Sequence, residues 1–168
     1  MPYSVFEASI PVYIRRLEAL SAILDKAAAY ATERKIDPPA LIQARLYPDM
    51  LPFARQVQIS CSHALRGAAR LSGLEPMNLE GKAESFDDLK ALIAKTVDHL
   101  KGMDATKMAG AEDRDITFPV GQKTRTMKGG DYLAHFSMPN FYFHVTTAYN
   151  ILRHNGLNIG KADFMGDA

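Results

Sequence analysis

The chain contains no tryptophan and a single cysteine, Cys61, among its 168 residues. One thiol excludes an intramolecular disulfide and suits a reducing compartment, so the cytoplasm is the expected location. Charge of one sign is not in excess either. Twenty basic residues face nineteen acidic ones, for a net charge of +1, and no basic block occurs. Such a balance leaves no electrostatic footprint for nucleic acid or for an anionic membrane surface. The N-terminal MPYSVFEASIP lacks the basic region and apolar core of a signal peptide. Catalytic signatures are missing as well: there is no Gly-x-Ser-x-Gly elbow, phosphate loop, zinc-knuckle spacing or His-Glu-x-x-His motif.

One long run lacks charge altogether. Between Asp131 and Arg153 the sequence reads YLAHFSMPNFYFHVTTAYNIL, followed by Arg153-His154-Asn155-Gly156. By length it could cross a bilayer. Pro139, Asn140, two histidines and several hydroxyls argue instead for a helix buried in protein. Neither nucleic acid nor membrane is therefore an expected partner.

With 47% hydrophobic and 23% charged residues, the composition is that of a globular protein. The length suits one domain, residues 1–168, burying roughly 70% of its unfolded surface. Four helical patterns appear. The first opens on Ser4-x-x-Glu7, a capping-box signature. It continues through Ile10, Tyr13, Leu17, Leu20, Leu24, Ala27 and Ala31 in steps of three and four, an apolar stripe fit for burial. Pro11 either kinks this helix or makes it start later, with Ser9 as cap. Breakers follow at Asp37-Pro38-Pro39 and Tyr47-Pro48-Asp49.

The second pattern spans about 51–72 and stops at Gly73. Its stripe is Ala54, Val57, Cys61, Ala64, Leu65, Ala68 and Leu71, which makes Cys61 an inert buried thiol. Its opposite face carries Arg55, Ile59, Ser62, His63, Arg66 and Arg70. The third begins at Ser85-x-x-Asp88 and buries Leu89, Ile93, Val97, Leu100 and Met103. Residues 114–127 then alternate in two short runs around Gly121, the pattern of a hairpin that must lie on the helices to be stable. After Gly129-Gly130, Asp131 is placed to cap the last helix, which stops at Asn155-Gly156. The tail through Phe164 and Met165 packs along the surface. These elements predict an all-α four-helix bundle with a short β-hairpin between helices 3 and 4.

Phe53-Ala-Arg-Gln-Val-Gln58, Ala69-Arg-Leu-x-Gly73 and Ile116-x-Phe-Pro119 resemble segments of a bacterial family of unknown function in the DinB/YfiT-like superfamily. So, above all, does Pro139-Asn-Phe-x-Phe-His-Val-Thr-Thr-Ala-Tyr-x-Ile-Leu-Arg-His-Asn-Gly156. The resemblance covers nearly the whole chain. It implies an up-down-down-up four-helix bundle, often homodimeric. Relatives in the superfamily include thiol-dependent transferases and isomerases and metal-dependent hydrolases. Many of these hold a divalent metal with one histidine from the second helix and a His-x-x-x-His pair on the last.

This chain does not reproduce that set. His144 and His154 are ten residues apart, about 15 Å along a helix and roughly 80° around it. Both rings cannot reach one ion at about 2 Å. Asn150 stands four before His154, and Ala148 stands four after His144. His63 projects away from the apolar stripe of its helix, and Gln56 to Ile59 occupy the stretch where relatives carry their ligand. No metal and no cofactor is therefore expected.

His144 shares a face with Phe141, Val145, Ala148, Ile151 and Leu152 and so points inward. Asn140 and Thr147 lie about one turn away on either side. His144, Asn140 and Thr147 form the candidate ligand site, with an imidazole that titrates near neutrality. His154 and Arg153 suit the C-terminal dipole of the helix, and His99 and His135 read as boundary residues. The aromatic set Phe136, Phe141, Tyr142, Phe143 and Tyr149 surrounds the last helix on several sides, so part of it is expected to face a second subunit. The leading expectation is a metal-free homodimer binding a small molecule near the last helix. The alternatives are a divalent-metal-dependent, thiol-using transferase or hydrolase, and a purely structural interaction module.

Overall fold

Ser4 and Glu7 satisfy each other as a capping box: the Glu7 amide donates to the Ser4 hydroxyl at 3.1 Å and the Ser4 amide to the Glu7 carboxylate at 3.2 Å. They set the entry into helix α1, Ile10–Arg34, which begins with Pro11 inside its first turn. Proline is tolerated there because an N-terminal amide has no intrahelical partner to lose. Ser9 precedes the helix but does not cap it; its hydroxyl turns back and donates to the Val5 carbonyl. The computed structural model describes residues 4–166 of the chain.

The proline pair at 38–39 starts a helix rather than only ending one: α2, Pro38–Ile42, buries Leu41 and Ile42. Helix α3, Phe53–Ser72, ends on Gly73 in the left-handed region at φ 73°. Helix α4, Phe86–Lys101, starts on the Ser85/Asp88 capping box, with both reciprocal bonds formed. It buries Leu89, Ile93, Val97 and Leu100, while Met103 lies beyond its end and is only half-buried.

Two short 3₁₀ turns, Ala105–Met108 and Ala111–Asp113, lead into the hairpin β1 (Asp115–Val120) and β2 (Lys123–Lys128). Val120 pairs with Lys123, leaving a two-residue loop. Gly121 opens it at φ 59° and Gln122 follows without a positive φ, the pattern of a type II′ turn. The inner face of β1 places Ile116 and Phe118 in the core, burial that stabilises by roughly 1.5–3 kcal/mol for each. Phe118 packs at 4.9 Å from Tyr132 and 4.5 Å from Phe136, ring centre to ring centre. The helices thus supply the surface that a two-stranded hairpin lacks alone.

The last long helical segment starts earlier than the sequence suggests. Helix α5, Gly129–Tyr132, runs into a π-helical turn at Leu133–Ser137 and then into α6, Met138–His154. Asp131 therefore sits in the first turn of α5 and makes no side-chain cap, a correction to the capping role expected of it. The start moved because a side chain cannot be accommodated at Gly129. A Cβ there would collide with the Ala111 carbonyl oxygen, so the glycine lets the helix begin hard against the 3₁₀ turn. The π turn precedes Pro139, whose missing amide would otherwise interrupt a regular ladder.

Helix α6 packs most extensively on α3, α3 also lies on α4, and α1 lies on both α4 and α6. The tail forms α7, Lys161–Met165, against α1. Arg16, only 5% exposed, donates to the Phe164 and Met165 carbonyls and lies 5.6 Å from the Phe164 ring centre. Lys26 and Asp163 add an ion pair at the other edge. The long core is lined by Tyr13, Leu17, Leu20, Leu24, Val57, Leu71 and Phe141, all fully buried. Among the described residues no helix is long and apolar enough to cross a membrane.

Candidate functional site

Helix α3 is covered on two sides, by α4 and by α6, so its buried arc is wider than one apolar stripe. Gln56, Ser60 and Gly67 are buried along with the expected Val57, Cys61 and Ala64. Positions 56, 60, 63 and 67 recur in steps of four and three, a second, polar stripe that faces α6. Gly67 lets the helices close: a Cβ there would stand 2.5 Å from the Ser137 hydroxyl and 2.6 Å from the Tyr13 hydroxyl. Those two hydroxyls hydrogen-bond to each other at 2.8 Å.

His144 meets this polar stripe. Its Nδ1 lies 2.7 Å from Gln56 Oε1, and the Gln56 amide nitrogen donates to the Leu51 carbonyl at 3.0 Å. Because the amide nitrogen is committed to Leu51, Oε1 is left as an acceptor, and Nδ1 of His144 must carry the proton. The second ring nitrogen, Nε2, is then an unprotonated lone pair. It has no protein partner among the described residues, and no buried side-chain polar atom there lacks one, so Nε2 reaches solvent.

His63 lies beside it. The two imidazoles stack at 5.5 Å between ring centres, 16° from parallel. The sequence reading sent His63 away from the site; the structure brings it to the site because α6 covers the flank of α3 that hydrophobicity alone leaves open. Burial, then His144, then Arg66 and Arg70, hold the His63 imidazole down to about 4. Burial alone holds His144 below its ordinary value. Both rings are neutral at pH 7.

Asn140 and Thr147 flank His144 on α6, and each is tied first to its own helix. Asn140 Nδ2 donates to the Phe136 carbonyl at 2.7 Å, and Thr147 Oγ1 donates to the Phe143 carbonyl at 2.6 Å. Phe136 lies in the π turn, so Asn140 gives that irregular backbone an extra donor. The oxygens of both side chains keep acceptor capacity. Cys61 is sealed under α4, and burial pushes its thiol up to about 12, with a Thr96 hydrogen bond opposing the rise. His154 and His135 are exposed and His99 is half-buried.

The five aromatic residues expected around the last helix separate into two groups. Phe141 packs edge-on to Tyr13, Phe136 covers Phe118, and Tyr149 meets Phe164 of the tail. Tyr142 and Phe143 stay outward, 36% and 56% exposed. With Leu46, Met50, Thr146, Thr147 and Asn150 they line a shallow hollow of about 410 Å³ without a charged side chain. The Phe143 ring also sits edge-on to His144 at 5.2 Å.

A three-histidine divalent-metal site does not fit these residues. Only two imidazoles meet, the Nδ1 of one is held by Gln56, and Asn140 and Ala148 occupy the positions one turn either side of His144. Among the described residues no three His, Cys, Asp or Glu side chains converge.

No curated protein matches the chain. Among solved structures it is similar to a DinB family member protein from Shewanella denitrificans. That crystal structure superposes with a TM-score of 0.89 at 34% identity, over 98% of this chain and 93% of that one. Residues 5–165 match the model of a domain of unknown function, DUF1993. Near-complete coverage by that model and by a DinB-family structure leads to one conclusion: the chain belongs to DUF1993, an uncharacterised family of DinB-like domains.

Proposed function

We propose that this chain is a metal-free small-molecule-binding domain whose site is the flank of α6 carrying His144, with Asn140 and Thr147 beside it and His63 opposite. The observation that supports this reading is the relay from Leu51 through Gln56 to His144. It presents one imidazole lone pair, already oriented and unprotonated, at a half-buried position open to solvent. An acceptor fixed before binding loses little entropy when a ligand's O–H or N–H donor arrives. Asn140 Oδ1 and the Thr147 hydroxyl add acceptors on the same flank, which suits a ligand that carries hydrogen-bond donors.

In the same reading the four long helices run up-down-down-up, and the protein acts in the cytoplasm as a homodimer. The outer face of α6 supports pairing: Tyr142 and Phe143 are exposed, and the whole run 132–152 is uncharged. A face without charge can meet its own copy without placing like charges together.

An NMR fragment screen tests the ligand site, read at the His144 Cε1–H and the Gln56 side-chain amide. Donor-bearing fragments shift both signals, and His144→Phe removes the response while the remaining spectrum persists. Fragments that leave both signals unmoved at millimolar concentration count against the site. Sedimentation tests the pairing: the wild-type chain is a dimer at micromolar concentration and Phe143→Asp a monomer. A wild-type monomer at every concentration would remove the dimer.

A further inference from the structure

We infer that the ligand of the histidine pair is a small carboxylate that also carries a hydroxyl donor, with Arg66 as its charge partner. The inference rests on the binding site proposed above and adds the ligand's chemical class. Arg66 and Arg70 follow His63 on α3 by three and seven residues, so all three lie on one helix face. Both guanidiniums act electrostatically on the His63 ring.

Arg70 is already engaged. It lies 5.0 Å from the Phe118 ring centre and 5.7 Å from that of Tyr132, and it donates to the Tyr132 hydroxyl at 3.2 Å. Arg66 is exposed, and among the described residues it has neither an ion pair nor a hydrogen bond. The ion pairs among the described residues join Lys26 to Asp163, Lys90 to Asp25, Lys101 to Glu18 and Lys128 to Asp115; none of these includes a residue of this face. Among the described residues, the fixed charges acting on the His63 ring are the two guanidiniums, and no ion pair compensates Arg66.

A cationic ligand is opposed here, and a neutral one gains nothing from Arg66. One free guanidinium matches one carboxylate, whose two oxygens fit its fork of N–H groups. His144 imposes the second requirement. Its Nε2 is an acceptor, which would repel a bare carboxylate oxygen but accepts from a hydroxyl on the neighbouring carbon. Carboxylate toward Arg66 and hydroxyl toward His144 satisfy both ends of the site at once.

Three probes of nearly equal size separate the two requirements: lactate, propionate without the hydroxyl, and lactamide without the charge. Each is titrated at matched ionic strength while the Cε1–H signals of His63 and His144 are followed. Lactate is expected to shift both signals saturably and to bind about tenfold more tightly than either analogue, since propionate loses the hydrogen bond to His144 and lactamide the charged contact with Arg66. Arg66→Gln, at an exposed position, lowers lactate affinity by about the same factor and leaves lactamide unaffected. Lactate and lactamide binding equally would overturn the carboxylate assignment and leave the site intact. Lactate and propionate binding equally would overturn the acceptor role of His144, and with it the site's proposed reading. Shifts reproduced by chloride alone would overturn the inference as an adventitious ion only.

Discussion

Ser137 and Gly67 share one volume: the Ser137 hydroxyl lies 2.5 Å from where a Cβ on residue 67 would be. Helix α3 meets the π turn and α1 so closely at this crossing, with the Tyr13 hydroxyl 2.6 Å from the same point, that only glycine fits. Gly67→Ala is expected to destabilise the protein by about 1–3 kcal/mol through overpacking. Urea denaturation checks this, with the midpoint lowered and the slope unchanged. Ser137→Ala in the same background removes one of the two obstructing hydroxyls and is expected to recover part of the loss.

Gln56 should control which nitrogen of His144 carries its proton. In Gln56→Leu the amide acceptor is gone, and ¹⁵N imidazole shifts are expected to move from a single Nδ1–H tautomer to a mixture. The Leu51 carbonyl loses its donor as well, so a stability loss of about 1–3 kcal/mol accompanies the change. An unchanged tautomer would mean that the relay does not set it.

Acid should weaken the fold through the histidine pair. His63 has an ordinary value of 6.5 and is held at about 4 in the folded chain. Its folded pKa lies below its unfolded one, so below pH 6.5 the unfolded chain binds the extra proton. Stability then falls as pH drops from about 6.5 toward 4 and is unaffected by this group above that window. His144, also shifted down, acts in the same direction. A melting-temperature profile is expected to flatten across this window in His63→Gln relative to wild type.

Cys61 should be silent toward thiol reagents in the native protein. It is fully buried and its thiol is pushed up to about 12, so almost no thiolate exists at neutral pH. Labelling by an aromatic disulfide is expected only after denaturant is added, with one equivalent per chain.

Arg16 should hold the C-terminal helix in place. Arg16→Met keeps the stem but removes the donors to the Phe164 and Met165 carbonyls. Hydrogen exchange is expected to speed up in residues 161–166 and to stay slow in α3 and α4. Uniform acceleration would show that the tail is part of the global unit instead.

Local chemistry made much of the architecture legible in advance. The capping boxes at Ser4/Glu7 and Ser85/Asp88, the stop at Gly73 and the turn at Gly121 depend on neighbours within a few residues, and each occurs as the sequence suggests. The apolar stripes of α1 and α3 were equally plain. The site was less legible because it depends on what covers a helix face. Hydrophobicity assigns α3 one buried stripe and sends His63 to solvent. Its second contact, with α6, is marked only by the spacing of Gln56, Ser60, His63 and Gly67, small and polar residues that a search for apolar periodicity passes over. The early start of α5 likewise follows from the fit of Gly129 against Ala111, a contact eighteen positions away that no local signal announces.

The π turn at Leu133–Ser137 sets the angular phase between two halves of one continuous rod. An α-helix advances about 100° per residue, and a π turn absorbs one residue beyond the regular count. Upstream of it, Tyr132 is aimed at Phe118 and Arg70; downstream, Phe141 and His144 are aimed at Tyr13 and Gln56. Forcing regular α pitch on all five residues of 133–137 would turn one half against the other by about 100°. Either the hairpin or the histidine pair would then lose its seat. The irregular turn is the indexing step that lets one helix serve both.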